Sequence, residues 1–324
     1  MTRQLLVRHR TTYSYQGLVQ SSKHSLHLRP IDDWRQRVIS YELNVDPAAR
    51  AIEFEDVFGN WAQRFEIANP YQTLTIEAIS KVELLDIDPF EFAKNAIRPQ
   101  FPLAWMPWER MMLAPYLMPK ELPDTQLREL FDYAMSFVKR NNGDLMETLF
   151  DINLTLFREY RYAPGTTNVF TTPYDVFINR QGVCQDFSNL FICMARLLGI
   201  PARYVCGYIY TGNNGQSRAG SDATHAWVQL YIPNIGWKGF DPTNGVLPTT
   251  GHVRNGYGRH FGDIAPTAGT LVGTTHGLET MSVDVEVSEV QVDVPKANDP
   301  PRQQAPASDA TMAPNGSAPQ LVSA

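Results

Sequence analysis

The first 88 residues alternate between apolar and polar positions with the two-residue period of half-buried β-strands. Turn signals such as Gly59-Asn60 and Asn69-Pro70 interrupt the alternation. We therefore predict a small sandwich or a barrel-like sheet built from six strand-forming runs. The runs are LLVRHRTTYSY, SLHLRP, VISYELNV, AIEFEDVF, WAQRFEIA and LTIEAISKVELL.

The pattern changes to helical spacing after a segment, 89–118, that is rich in Pro and Met and is predicted to be irregular. Leu, Phe and Met then recur every three or four residues over 125–140 and again over 144–160, which predicts two amphipathic helices. Close to the end of the chain, 280–294 returns to a period of two. That segment is predicted to be a strand long enough to join a sheet edge.

A third helix is predicted to begin close to Cys184. Gly199 is expected to end it in the left-handed conformation, Ile200 to make the capping hydrophobic contact, and Pro201 to prevent continuation. The Cys184 thiol then lies at the helix N-terminus, where unpaired backbone N–H groups favour a thiolate and can stabilise an oxyanion. The apolar residues at helical spacing are Phe187, Leu190, Phe191, Met194, Leu197 and Leu198.

Two strands are predicted downstream, and they carry a histidine and a carboxylate. In HAWVQLYI, His225 shares a face with Trp227, and the strand ends at a turn signal over 233–236. The segment GWKGF then resumes an extended pattern and leads to Asp241. A hairpin that paired His225 directly with Asp241 would centre on residue 233, but the turn residues lie slightly later. We therefore expect a diagonal or one-step-offset pair, within reach of a hydrogen bond.

Cys184, His225 and Asp241 provide the three groups that nucleophilic attack on a carbonyl requires. A thiol is a strong nucleophile as thiolate and needs a neighbouring base. The base in turn needs a third group that holds its tautomer and its orientation.

The segments GVCQDFS, GIPARYV, HAWV and GFDPTN resemble the bacterial transglutaminase-like proteins, a branch of the papain-like cysteine enzymes. HRTTYSY, SLHLRP and FEDVFGNW resemble the β-rich domain that precedes this core in the family, and HVRNGYGRHFGDIAPTAGTLVG resembles a later family segment. The resemblance covers roughly residues 1–290. It implies that Cys184 is the nucleophile, His225 the general base and Asp241 the orienting carboxylate. SDATHAW departs from the family, which usually has a shorter run of small residues before the histidine.

The resemblance implies an α+β fold in which the nucleophile helix packs on an antiparallel sheet, preceded by a small all-β domain. The expected division is 1–88 for the β-rich domain, 89–294 for the catalytic core and 295–324 for a disordered tail. The tail is predicted from its Pro-, Ala- and Ser-rich composition.

A second oxyanion donor is needed, and the sequence leaves three candidates open. They are Tyr162, Gln181 and Trp227; the family resemblance favours the segment around Tyr162. Asp186 is interpreted as a structural carboxylate that the helix dipole favours in the first turn.

The remaining cysteines and histidines have ordinary structural interpretations. Cys193 and Cys206 are expected to be core residues. The cysteine spacing does not suit zinc, and their odd number and core positions do not suit structural disulfides. The N-terminal histidines His9, His24 and His27 belong to the β pattern, and His252, His260 and His276 lie beyond the three candidate residues. Among these, His260 has charged neighbours, but its default role is at the surface.

Composition sets the remaining limits. The 324 residues are 43% hydrophobic and 19% charged, as in soluble globular proteins, and carry a net charge of −6, which gives no basic surface field for nucleic acid. An apolar run long enough for a membrane span is absent from the sequence, and the N-terminus lacks the pattern of a signal peptide. We therefore expect a cytoplasmic protein that needs no cofactor and no metal and that acts on a protein or peptide. The sequence leaves its oligomeric state open.

The expected function is cysteine-dependent acyl transfer on an amide through a thioester, with hydrolysis favoured over transfer. Transamidation of protein glutamine, as by a transglutaminase, is the first alternative. A non-catalytic protein-interaction module is the second. The absence of a calcium-site motif argues weakly against protein cross-linking of the kind that animal enzymes perform.

Overall fold

The N-terminal alternation forms long antiparallel strands. The computed structural model describes residues 2–88, 90, 98–212, 224–273 and 279–290. The first strand contains the whole of LLVRHRTTYSY and continues to Leu26, the second residue of SLHLRP, so the described residues form five strands where six were expected. The pairing of this strand with the fifth strand has a register shift between Ser14 and Val19, and the first strand continues beyond that shift. The strands are β1 (Thr2–Leu26), β2 (Gln36–Asp46), β3 (Ile52–Glu55), β4 (Trp61–Ile67) and β5 (Tyr71–Leu85).

The N-terminal sheet has seven strands, because two strands from the end of the chain return to it. Its order is β2-β5-β1-β4-β3, and both β12 (Thr267–Gly273) and β13 (Glu279–Glu289) pair with β1. The strand predicted over 280–294 is therefore confirmed over its described part, and it joins the N-terminal β region. The described residues form one compact unit. Residues 295–324, predicted as a tail, lie outside them.

Within the described ranges, five α-helices follow the N-terminal strands. The prediction of irregular structure over 89–118 was wrong in its second half, because a helix starts at Pro107, where a proline fits the first turn. A short helix between the two predicted helices and Cys184 was also missed by the sequence analysis. The helices are α1 (Pro107–Leu117), α2 (Asp124–Arg140), α3 (Leu145–Glu159), α4 (Pro173–Asn179) and α5 (Cys184–Leu197). None of the helices in the described chain is long and apolar enough to cross a membrane.

The second sheet has four antiparallel strands and carries α5 on one face. Its order is β10-β9-β8-β11, while β6 and β7 form a separate parallel pair. Phe187 and Phe191 of α5 share a buried core with Val228 and Leu230 of β9. The strands are β6 (Arg161–Tyr162), β7 (Gln181–Gly182), β8 (Ala202–Ile209), β9 (His225–Ile232), β10 (Gly236–Phe240) and β11 (His252–Gly258).

A partly buried polar contact ties the N-terminal region to the second sheet. The Arg254 guanidinium of β11 donates to both carboxylate oxygens of Asp33 at 2.7 Å. The Gln36 side chain donates to the Arg254 carbonyl at 2.8 Å and accepts from the Arg254 N–H at 2.9 Å. Because an ion pair with two parallel bonds has only one favourable geometry, this contact fixes how β11 lies against the N-terminal strands.

Candidate active site

Cys184 is the first residue of α5, as the sequence predicts, and its side chain is half-buried. Helix α5 ends in the predicted way: Gly199 has φ +78°, and Ile200 donates its N–H to the Ala195 carbonyl at 2.9 Å. The first helical hydrogen bonds run from Asp186 and Phe187 to the Val183 carbonyl. The thiol therefore lies at the positive end of a fourteen-residue helix.

Asp186 shapes the turn that presents the thiol. Its buried carboxylate accepts the N–H of Val183 at 2.8 Å and the hydroxyl of Thr167 at 2.6 Å. Burial raises the pKa of Asp186, and these two donors oppose the shift. A Cβ on Gly182 would come within 2.7 Å of the Asp186 Cβ, so this approach requires glycine. These contacts agree with the structural interpretation of Asp186.

His225 begins β9, and Asp241 directly follows β10. In this hairpin Gly236 pairs with Ile232, so Asp241 falls in register with Trp227, two residues along from His225. The diagonal arrangement expected from the sequence is confirmed. The Nε2–H of His225 donates to Oδ2 of Asp241 at 2.8 Å, and both side chains are completely buried.

Asp241 accepts hydrogen bonds from every side. The backbone N–H groups of Thr243 and Asn244 donate to Oδ1 at 3.0 and 3.2 Å. The Asn244 side chain donates to Oδ2 at 2.7 Å. The sequence DPTNG thus folds back on its own first residue, as an aspartate that begins a tight turn commonly does. Although burial raises the pKa of Asp241, the two imidazoles outweigh it and hold that pKa far below the usual range.

The other ring nitrogen of His225, Nδ1, is buried and has no hydrogen-bond partner of ordinary geometry among the described residues. Burial alone would lower the pKa of His225. The charge and hydrogen bond of Asp241 outweigh it and, together with the nearby Cys184 side chain, raise the pKa to about 10. The structure therefore brings the three predicted residues together and favours a protonated imidazole between the thiol and the carboxylate.

His252 is a fourth member of the site that the sequence analysis missed. It lies on β11, only 5% exposed, and its Nε2 is 3.2 Å from Oδ2 of Asp241. The Thr249 N–H donates to its Nδ1 at 3.3 Å. Because Nδ1 accepts, the ring proton lies on Nε2, and His252 donates it to Asp241 as a neutral imidazole. Burial lowers the pKa of His252, which agrees with this tautomer.

The three side chains His225, Asp241 and His252 bring one donor atom each within 4.8 Å of one another. These are ligand types that suit zinc. The hydrogen bonds from both imidazoles to one carboxylate already account for the short distances.

The segment GHVRNGYG contains no residue spacing that would have identified His252. Its partner Asp241 is brought close only by the pairing of β11 with β8.

The three candidate oxyanion donors lie in different places. Tyr162 pairs with Gly182 in the β6–β7 ladder, beside the start of α5. Burial raises the pKa of Tyr162 above its usual range, with Cys184 as the next cause. Gln181 accepts from Arg161 at the surface. Trp227 is completely buried, and its indole nitrogen has no hydrogen-bond partner among the described residues.

The remaining predicted residues do not join the site. Cys193 and Cys206 are buried and unpaired, as expected for core residues, and burial raises the pKa of both thiols. His260 is more than half exposed and accepts the Gly262 N–H at 3.1 Å. Its expected surface position agrees with the structure.

Comparison with known proteins gives the same assignment. Residues 5–83 match the family described as bacterial transglutaminase-like N-terminal region, and residues 132–242 match the transglutaminase-like superfamily. An uncharacterized protein of Mycobacterium tuberculosis is 33% identical over 303 residues, which cover 88% of this chain and 93% of that protein. The chain belongs to the bacterial transglutaminase-like proteins.

Two further relatives differ in how much of the chain they cover. The crystal structure of a candidate cysteine protease from Cytophaga hutchinsonii has a TM-score of 0.69 at 21% identity and covers 90% of this chain and 92% of its own. That likeness shows the fold. A protein-glutamine gamma-glutamyltransferase of Pseudomonas aeruginosa is 33% identical over 93 residues, which are 28% of this chain and 14% of that protein.

We expect His252→Leu to lower the free energy of unfolding by about 1.5–3 kcal/mol at pH 7, because it removes a hydrogen bond to a buried carboxylate. His252→Gln, which keeps a side-chain N–H donor, should recover part of the loss. Urea denaturation measures both. The matched control is His24→Leu. It removes another buried imidazole, which is distant in sequence from His252 and hydrogen-bonded to Ser22.

The control separates a role in the site from a general cost of losing a buried histidine. Alkylation of Cys184 by iodoacetamide should slow in His252→Leu and stay unchanged in His24→Leu. Equal alkylation rates in all four proteins would show that His252 only stabilises the fold.

Proposed function

We propose that this protein is a cysteine-dependent acyl-transfer enzyme that acts on amides, with hydrolysis as its main outcome. The observation that supports the proposal best is the orientation of His225. One ring nitrogen donates to Asp241 at 2.8 Å, and the other makes no further hydrogen bond of ordinary geometry to the described residues, while Cys184 contributes to the raised pKa of the ring. A thiol at a helix start with an oriented imidazole beside it has the parts of an activated nucleophile.

The reaction follows from these groups. The thiol proton passes to Nδ1 of His225, whose raised pKa favours the protonated ring. The sulfur of Cys184 attacks the amide carbon, and the tetrahedral intermediate returns its electrons as the carbon–nitrogen bond breaks. His225 gives its proton to the leaving amine, so a thioester and a free amine result. Water, deprotonated by His225, then attacks the thioester and releases an acid and the thiol.

Tyr162 is our choice for the side chain that donates to the oxyanion. Its hydroxyl stays protonated because its pKa is raised, and its electrostatic neighbours include Cys184 and Asp241. The backbone N–H groups at the start of α5 would be the other donors. Gln181 is engaged with Arg161 at the surface. Trp227 packs beside the rings of both His225 and His252, at centroid distances of 5.8 and 5.2 Å.

Two alternatives have different support. Transamidation, in which an amine replaces water, is favoured by the partial likeness to the Pseudomonas gamma-glutamyltransferase. A non-catalytic interaction module has less support, since such a module has no need for a buried carboxylate that accepts five hydrogen bonds around a histidine. We also propose a peptide or protein substrate and a cytoplasmic location, where the thiols stay reduced.

We expect Cys184 to react with iodoacetamide at pH 7 about tenfold faster than free cysteine, because an imidazolium and a helix N-terminus favour the thiolate. Cys184→Ala should abolish the fast phase, and Asp241→Asn should slow it. The matched controls are Cys193→Ala and Cys206→Ala, whose thiols are buried and whose loss should leave the fast phase intact. Mass spectrometry of the labelled peptide identifies the site. Wild-type labelling no faster than free cysteine would contradict the proposal.

We expect hydrolysis to exceed transfer when a glutamine-containing peptide is incubated with the protein and a fluorescent primary amine. Ammonia should be released without matching incorporation of the amine, and Cys184→Ala should release none. If the amine is incorporated faster than glutamate forms, transamidation replaces hydrolysis as the function. If neither product forms, another class of amide has to be tested with the same variant as the control.

A further inference from the structure

A groove with a volume of about 450 Å³ runs beside the middle of α5. None of Cys184, His225 and Asp241 lines it. Its walls come from the end of α1 with the segment 118–121, from α5 itself and from the Arg259–His260 corner. Apolar groups such as Pro115 and Ile192 alternate there with charged ones.

The floor of the groove holds a buried cation. The Arg196 side chain of α5 is only 8% exposed and donates four hydrogen bonds, all to backbone carbonyls, those of Met118, Ala202 and Arg259. A guanidinium has five N–H donors, so one on Nη1 is left over. Within the described ranges, no carboxylate lies within ion-pair distance of Arg196. Burial lowers its pKa to about 10, and the charge of Arg259 acts in the same direction, against Cys193 and Asp263.

Two other cations, Lys120 and Arg259, line the same groove as Arg196. Burial is the main cause that lowers the pKa of His260. The three cations lower that pKa further, and Asp263 opposes them. Arg259 is neutralised by Asp263 through two bonds of 2.8 and 2.9 Å. Lys120 has no ion pair within the part of the chain that the structure describes. In the described lining, Lys120, Arg196 and Arg259 face one carboxylate, Glu121, while Asp175 and Asp263 act on Lys120 and Arg196 from outside it.

We propose that this groove is a binding site for an anionic group, a carboxylate or a phosphate. The anion would accept the free N–H of Arg196 and the ammonium of Lys120, and the apolar wall would take the carbon skeleton that carries it. Binding relieves the electrostatic cost of the buried guanidinium, which the groove leaves open to small solutes. The site lies outside the candidate catalytic group and does not depend on the proposed reaction.

The test is titration of the full-length protein with inorganic phosphate and, separately, with the peptide Glu-Glu-Glu, at constant ionic strength set with chloride. Amide shifts in NMR spectra should saturate and concentrate at Lys120, Cys193 and Arg259. Lys120→Met should weaken binding about tenfold, the effect of losing one charge-assisted hydrogen bond. Arg196→Met should weaken binding more, but it also removes the hydrogen bonds to three backbone carbonyls and so endangers folding. Lys120→Met is therefore the variant that decides the test.

The matched control is Lys23→Met. Lys23 lies with Arg50 and Arg64 in a second groove of about 450 Å³, but it already pairs with Glu66 at 3.6 Å. Unchanged binding in Lys23→Met and in Cys184→Ala supports the proposal. Saturation by phosphate alone identifies a free anion or phosphate ester as the ligand class, and saturation by the peptide identifies a carboxylate. The proposal is overturned if neither probe saturates, if Lys120→Met binds as wild type, or if Lys23→Met loses binding instead.

Discussion

The candidate site depends on one buried carboxylate. Asp241 is fully removed from solvent, and a lone ion there would carry a large desolvation cost. Two imidazoles, two backbone N–H groups and one amide side chain compensate for that cost. Because the donors come from β9, the DPTNG turn and β11, the charge of Asp241 also fixes how these three elements meet.

The same constraint explains the orientation of His225. With Nε2 committed to Asp241, Nδ1 is left toward the start of α5, where Cys184 lies. The helix reaches that position because its apolar face packs on β8 and β9, and because Gly182 lets Asp186 close the first turn. Cys184 and His225 thus come from opposite sides of the interface between α5 and the second sheet, each on an element fixed by its own backbone hydrogen bonds.

The arrangement of the site was predictable from the sequence where the signals were local. The start and end of α5, the hairpin register and the positions of Cys184 and His225 follow from helical spacing, cap residues and turn position. His252 was not predictable, because a strand that pairs with β8 brings it to Asp241 and no local pattern records that pairing. Helix α1 was missed for a related reason: four prolines and several methionines over 99–118 obscure its helical spacing, and proline at its first turn is compatible with a helix. The return of β12 and β13 to β1 is likewise a long-range pairing.

The central claim is that Asp241 keeps the His225 ring protonated, and an NMR titration of ring-labelled histidine tests it most directly. A pKa raised from 6.5 to about 10 means that the protonated ring contributes fully to stability below pH 6.5, and that this contribution is lost as the pH rises toward 10. Wild type should show the His225 ring titrating well above pH 6.5, and Asp241→Asn should lower that pKa markedly, because burial is then opposed mainly by the Cys184 side chain. The same His225 pKa in both proteins would contradict the account.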